Sequence, residues 1–215
     1  MTPRAARREE HERRYGPSMN KGRLEAFSDG VIAILITIMV LELRVPHGAD
    51  ATTLRPMIPA FLSYVMSFVY LGIYWNNHHH LLQAVRQVNG RILWANMHLL
   101  FWLSLVPMAT GWMGDSRFAA VPVALYGVVL LAAALAYTVL VRSLIAHHGR
   151  ESVLASAVGK DFKGTISLVF YALAVPLSFA TTWVACGLYV VVAIIWLVPD
   201  RRIERALAPR DQEPA

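Results

Sequence analysis

The chain has 215 residues, 56% of them hydrophobic and 16% charged, with a net charge of +6. Soluble domains carry roughly 25% charged residues, and the apolar excess here is gathered into runs that a soluble core of this size cannot bury, so one compact membrane domain is expected. The basic residues stand at the ends of apolar runs without interleaved aromatics, which favours a topological role over nucleic-acid binding, and the single cysteine, Cys186, excludes an intrachain disulfide.

Residues 1–20 are polar and basic without apolar periodicity and read as a flexible cytoplasmic tail. Six apolar stretches follow, over about 24–44, 57–80, 92–113, 118–141, 164–181 and 183–198, and residues 201–215 form a second polar tail. About 20 helical residues at ~1.5 Å each cross a hydrocarbon core of ~30 Å. A basic start before an apolar core also suits a signal peptide, but Ser28, Asp29 and Gly30 interrupt that core and further spans follow. Residues 164–198 carry no charge, and as one helix they would be about 52 Å long. The polar cluster Ser178, Thr181, Thr182 and Trp183 marks a tight turn that splits them in two.

The basic residues fix an expected sidedness. Seventeen of the twenty Lys and Arg fall on one side of the six-span arrangement, and only Arg44, Arg55 and Arg117 fall on the other. The positive-inside rule then puts both termini in the cytoplasm. Trp75, Trp94, Trp112, Trp183 and Trp196 fall near span ends, where interfacial aromatics gather. The expected fold is an all-α integral membrane protein of six transmembrane helices in a cell membrane.

The first span carries the most information. On a helical wheel of about 100° per residue, Phe27, Gly30, Ile34, Thr37, Ile38 and Leu41 share one side. That stripe is apolar apart from one hydroxyl, and an apolar stripe on a membrane helix is by itself ordinary packing. Ser28 and Asp29 point away from it. A carboxylate within a span costs roughly 2.5–3.5 kcal/mol at mid-membrane on the insertion scale. Asp29 lies about one turn inside the cytoplasmic edge, so its penalty is smaller, yet it needs partners. Candidates at the same level are Arg23, the run Trp75-Asn76-Asn77-His78-His79-His80, and Arg91, Trp94, Asn96 and His98.

Adjacent histidines on a helix point about 100° apart. His78, His79 and His80 therefore cannot share one metal, although two of them with Asp29 could. A hydrogen-bonded scaffold is the favoured use, and no metal or other cofactor is expected. No Ser/His/Asp arrangement, cysteine–histidine spacing or glycine-rich phosphate loop points to an enzyme.

The segment Arg23-Leu24-Glu25-Ala26-Phe27-Ser28-Asp29-Gly30 resembles the RxxxFSD signature of the transmembrane protein 175 family, potassium channels of endosomes and lysosomes with single-repeat relatives in prokaryotes. Trp75 with its following histidines, Arg91 with Trp94 and Asn96, and Leu105-Val106-Pro107 extend the resemblance over roughly residues 20–200. It implies a homotetramer whose first helices line a central pore for potassium ions. It also implies that Ile34 forms a hydrophobic constriction, with Ile38 and Leu41 as further pore-facing positions, and that Thr37 bears on selectivity. Arg23, Phe27, Ser28, Asp29, Trp75, His78, His79 and Asn96 would form the network that fastens the first helix. The competing reading is a proton leak or proton-coupled transporter with Asp29 and a histidine as relay, although no repeat pair of the transporter type is present.

Overall fold

The computed structural model describes residues 21–46, 50–85, 87–149 and 161–197. The two tails, 1–20 and 201–215, lie outside the described residues. Within the described residues the chain forms α1 (Lys21–Leu41), a 3₁₀ segment (Ala51–Met57), α2 (Ile58–Gln83), α3 (Gly90–Ser104), α4 (Val106–Asp115), α5 (Ala120–His148), α6 (Phe162–Ala180) and α7 (Thr182–Leu197).

Five stretches are long and apolar enough to cross a membrane: Lys21–Leu41, Ala51–Gln83, Gly90–Asp115, Ala120–His148 and Phe162–Ala180. The sixth, α7, is apolar but has 16 residues, about 24 Å of helix. Five rather than six of the expected spans therefore meet the full length within the described residues. The protein is a multi-pass membrane protein.

The ends of the helices follow from their sequence. Asn89 caps α3 by accepting the Ile92 N–H at 3.0 Å, and Asp161 caps α6 by accepting the Gly164 N–H at 2.8 Å. The turn expected near Ser178–Trp183 is a single extended residue, Thr181, with φ −153°. It reverses the chain directly from α6 into α7. The third span is two helices and not one. Pro107 has no N–H to give and would clash with the carbonyl four residues back, so the chain breaks at Leu105, and the Leu105 N–H turns to the Trp102 carbonyl at 3.2 Å.

The interior is built where α5 packs on α3, α4, α6 and α7, and where α1 lies on α2, α3 and α4. At its centre Tyr70, Tyr126 and Tyr189 are fully buried. Their hydroxyls are satisfied without water. Tyr70 donates to the Tyr189 carbonyl at 2.6 Å, Tyr189 donates to the Val123 carbonyl at 3.1 Å, and Ser67 joins the Tyr126 hydroxyl at 3.0 Å to that of Thr110 at 2.6 Å. In hydrocarbon each such group left unpaired is costly, so these bonds set the register between helices as well as stabilising it. Two glycines allow the close approaches. A Cβ on Gly114 would lie 2.7 Å from the Ala60 Cα of α2, and one on Gly127 would collide with the Tyr189 hydroxyl.

Candidate functional site: the first helix and its anchor

One side of α1 is buried and the other is bare. Leu24, Ser28, Ile32, Leu35 and Met39 are buried; their spacing of four, four, three and four residues makes one continuous ridge. Opposite stand Phe27, Gly30, Ile34, Thr37, Ile38 and Leu41, all exposed. Ile34 is 57% exposed and Leu41 80%. Among the described residues of the subunit nothing covers this stripe. The Thr37 hydroxyl donates its one hydrogen to the Ile34 carbonyl at 2.9 Å. Its oxygen lone pairs remain available as acceptors.

The buried side is tied down by a one-directional chain of hydrogen bonds. The His78 Nε2 donates to Asn96 Oδ1 at 2.7 Å, Asn96 Nδ2 donates to Ser28 Oγ at 2.9 Å, and Ser28 Oγ donates to the Leu24 carbonyl at 2.8 Å. Ser28, His78 and Asn96 are each 0% exposed. Asn96 is the pivot, because its side chain joins α1, α2 and α3. The oxygen partner requires the proton of His78 on Nε2, and its Nδ1 has no hydrogen-bond partner among the described residues.

A second cluster lies on the flank. Trp75 Nε1 donates to Asp29 Oδ1 at 3.0 Å. The Trp75 and His79 rings stack at 5.9 Å with 19° between planes. Gln83 Nε2 donates to His79 Nε2 at 2.8 Å, which leaves the proton on His79 Nδ1. That nitrogen is 3.3 Å from Glu25 Oε1, within ion-pair distance but not aligned for a hydrogen bond. Glu25 and Asp29 are one turn apart on α1 and face Trp75 and His79, one turn apart on α2. Asp29 therefore meets a tryptophan and not a histidine.

The eight residues expected to fasten α1 thus divide. Ser28, His78 and Asn96 form the buried chain, and Asp29, Trp75 and His79 form the flank. Arg23 and Phe27 stand outside both, and here the expectation is corrected. Arg23 precedes Ile34 by eleven residues, three full turns, which returns it to the exposed side about 20° from Ile34. Phe27 falls equally close on the other flank, and both are exposed. Among the described residues Arg23 has no ion pair or side-chain hydrogen bond. Arg91, Trp94 and His98 also fall away from the network. They lie about 140–160° around α3 from Asn96, and His98 accepts instead from Trp102 Nε1 at 3.0 Å. Glu25 was the residue that sequence reading passed over, although its place four residues before Asp29 puts it on the same face.

Comparison with known proteins places this architecture. Residues 23–107, which span α1 to the break in the third rod, match the family described as endosomal/lysosomal potassium channel TMEM175. A potassium channel of Chryseobacterium sp. is 58% identical over 189 residues, covering 88% of this chain and 98% of its own length. The endosomal/lysosomal proton channel TMEM175 of Homo sapiens is 33% identical over 103 residues, 42% of this chain and 20% of that protein. The crystal structure of a lysosomal potassium-selective channel TMEM175 homolog from Chamaesiphon minutus superposes with a TM-score of 0.73 at 28% identity, over 84% of this chain and 97% of that one. With near full-length similarity in sequence, and the same fold around the FSD-bearing first helix, the chain belongs to the TMEM175 family.

Proposed function

We propose that the protein is a potassium channel of the plasma membrane, formed by four copies whose α1 helices line a central pore, with both termini in the cytoplasm. The observation that carries this reading is the division of α1. Its ridge from Leu24 to Met39 is fastened by buried contacts, while the stripe from Phe27 to Leu41 is bare and continuous. A firmly held helix with one continuous uncovered stripe is the geometry a pore-lining helix needs, with one hydroxyl, that of Thr37, on the stripe. Full-length relatives named potassium channels support the same reading.

In this arrangement four Ile34 side chains close the path by dewetting, and Ile38 and Leu41 prolong the dry segment. Thr37 sits one turn beyond Ile34. Because its hydrogen is held by the Ile34 carbonyl, it offers the ion an oxygen and not a hydrogen. Four such oxygens replace part of the hydration of a potassium ion next to the constriction. Selectivity built this way is modest, since no cage of backbone carbonyls surrounds the ion. Conduction is passive and needs no cofactor or catalysis.

The proton-relay alternative is weakened by the geometry of the anchor. Asp29 is bonded by an indole, which has one N–H and no acceptor. The histidine of the buried chain ends on an amide. Asp29 and His78 do not meet in a continuous acid–base path, and the acid that does stand beside a histidine is Glu25, 3.3 Å from His79.

Single-channel recording of reconstituted protein tests the pore assignment. Ile34→Asn wets the constriction and raises the current several-fold over wild type. Unchanged current in Ile34→Asn would remove Ile34 from the conduction path.

A further inference from the structure

A second polar site lies away from the pore helix. Four residues on one face at the start of α3 (Arg91, Trp94, Ala95 and His98) oppose Val139, Ser143, Ala146 and His147 at the end of α5, and together with Asn89 they enclose a groove of about 1000 Å³. Its polar groups have definite proton positions. Asn89 Nδ2 donates to His147 Nδ1 at 3.2 Å, so the proton of that ring is on Nε2. His98 Nε2 accepts from Trp102, so His98 carries its proton on Nδ1 and is a donor on that side. Arg91 is exposed and adds a full positive charge. The first turn of α3 adds the positive end of a helix dipole. Donors and positive charge therefore predominate, and among the described residues no carboxylate lines the groove.

The position of the groove says what kind of anion it takes. It lies at the end of the subunit that the basic residues mark as cytoplasmic. Trp94 is 75% exposed at its rim, as an indole is at the level of lipid headgroups. Val139, Ala95 and Ala146 make its remaining wall apolar, which suits the glycerol and upper acyl chain of a lipid better than a soluble anion. Basic grooves between helices on the cytoplasmic side hold anionic headgroups for these reasons. The walls are α3 and α5, and α5 packs on α3, α4, α6 and α7, so the groove opens on the flank and not on the exposed stripe of α1.

We propose that this groove is a binding site for the phosphate headgroup of an anionic phospholipid of the cytoplasmic leaflet, held by Arg91 and His98, with Trp94 against its glycerol region. The proposal takes its sidedness from the distribution of Lys and Arg and does not depend on the pore assignment.

The test uses the full-length protein in detergent supplied with equal amounts of phosphatidylglycerol or phosphatidylcholine, with bound lipid counted by native mass spectrometry. Wild type retains phosphatidylglycerol in preference to phosphatidylcholine. Arg91→Gln weakens that retention about fivefold, the effect of losing one cation at the membrane surface. His98→Gln also weakens it, and is the variant read if Arg91→Gln does not fold. Arg44→Gln, on the opposite side of the membrane, leaves it unchanged. Equal retention of the two lipids, or undiminished phosphatidylglycerol in both groove variants, overturns the proposal. So does displacement of the lipid by millimolar inorganic phosphate, which would make this a site for a soluble anion. Ion flux is not the readout, so failure here leaves the pore assignment standing.

Discussion

At the residue scale the protein separates two polar groups that the sequence sets side by side. Ser28 is dry and Asp29 is partly wet, so their losses differ. Asn96→Ala leaves the buried His78 Nε2 without its acceptor and takes the amide donor from Ser28 Oγ, which keeps its bond to the Leu24 carbonyl, and an unsatisfied buried group costs roughly 1–3 kcal/mol. Trp75→Phe removes the indole from Asp29 while keeping a ring against His79, and water can replace the lost donor, so its cost is about 1 kcal/mol. Thermal unfolding in detergent should rank Asn96→Ala well below Trp75→Phe, and Asp29→Asn, which keeps the acceptor, near wild type. The reverse order would place the main anchor on the flank. The need for partners was legible from an acid inside a span. Which partners it finds was not, because that depends on how three helices turn toward one another. Arg23 shows how the wheel itself holds the correction: its angle returns it to the Ile34 side, away from the residues that bind Asp29.

At the scale of elements, glycines and one proline set how closely the rods approach. Gly114→Ala drives a methyl into the Ala60 backbone, and overpacking of this kind costs typically 1–3 kcal/mol. Gly127→Ala meets a side chain instead, the hydroxyl end of Tyr189. Tyr189→Phe should therefore recover part of the loss in Gly127→Ala and none of the loss in Gly114→Ala, measured as unfolding midpoints of the paired variants. Equal recovery at both sites would contradict the packing described. The reversal at Thr181 was readable because a 35-residue uncharged run is too long for one crossing. The break at Leu105 had its signal in Pro107, although hydropathy runs through it without interruption. The tyrosine cluster had no sequence signature, since Tyr70, Tyr126 and Tyr189 belong to three separate helices and meet only when these pack.

At the scale of the whole molecule, one subunit leaves its most informative surface bare. On the proposed pore arrangement the α1 stripe faces symmetry mates, so purified protein should run in native mass spectrometry as four chains of 23.9 kDa each. A monomer under conditions that preserve ion flux would contradict the central pore. The expected sidedness rests on the placement of Lys and Arg, whereas assembly has no such signal in the sequence, because an exposed apolar stripe looks alike whether lipid or a second copy covers it. The account stands most directly on the reversal potential of protein reconstituted alone in a planar bilayer between potassium and sodium solutions. Wild type should carry a potassium-preferring current. Thr37→Val, which removes the oxygen and keeps the shape, should shift the reversal potential toward zero, and Thr37→Ser should keep it near wild type. No potassium current from wild type, or a Thr37→Val reversal potential identical to it, would contradict the assignment of α1 as the pore helix.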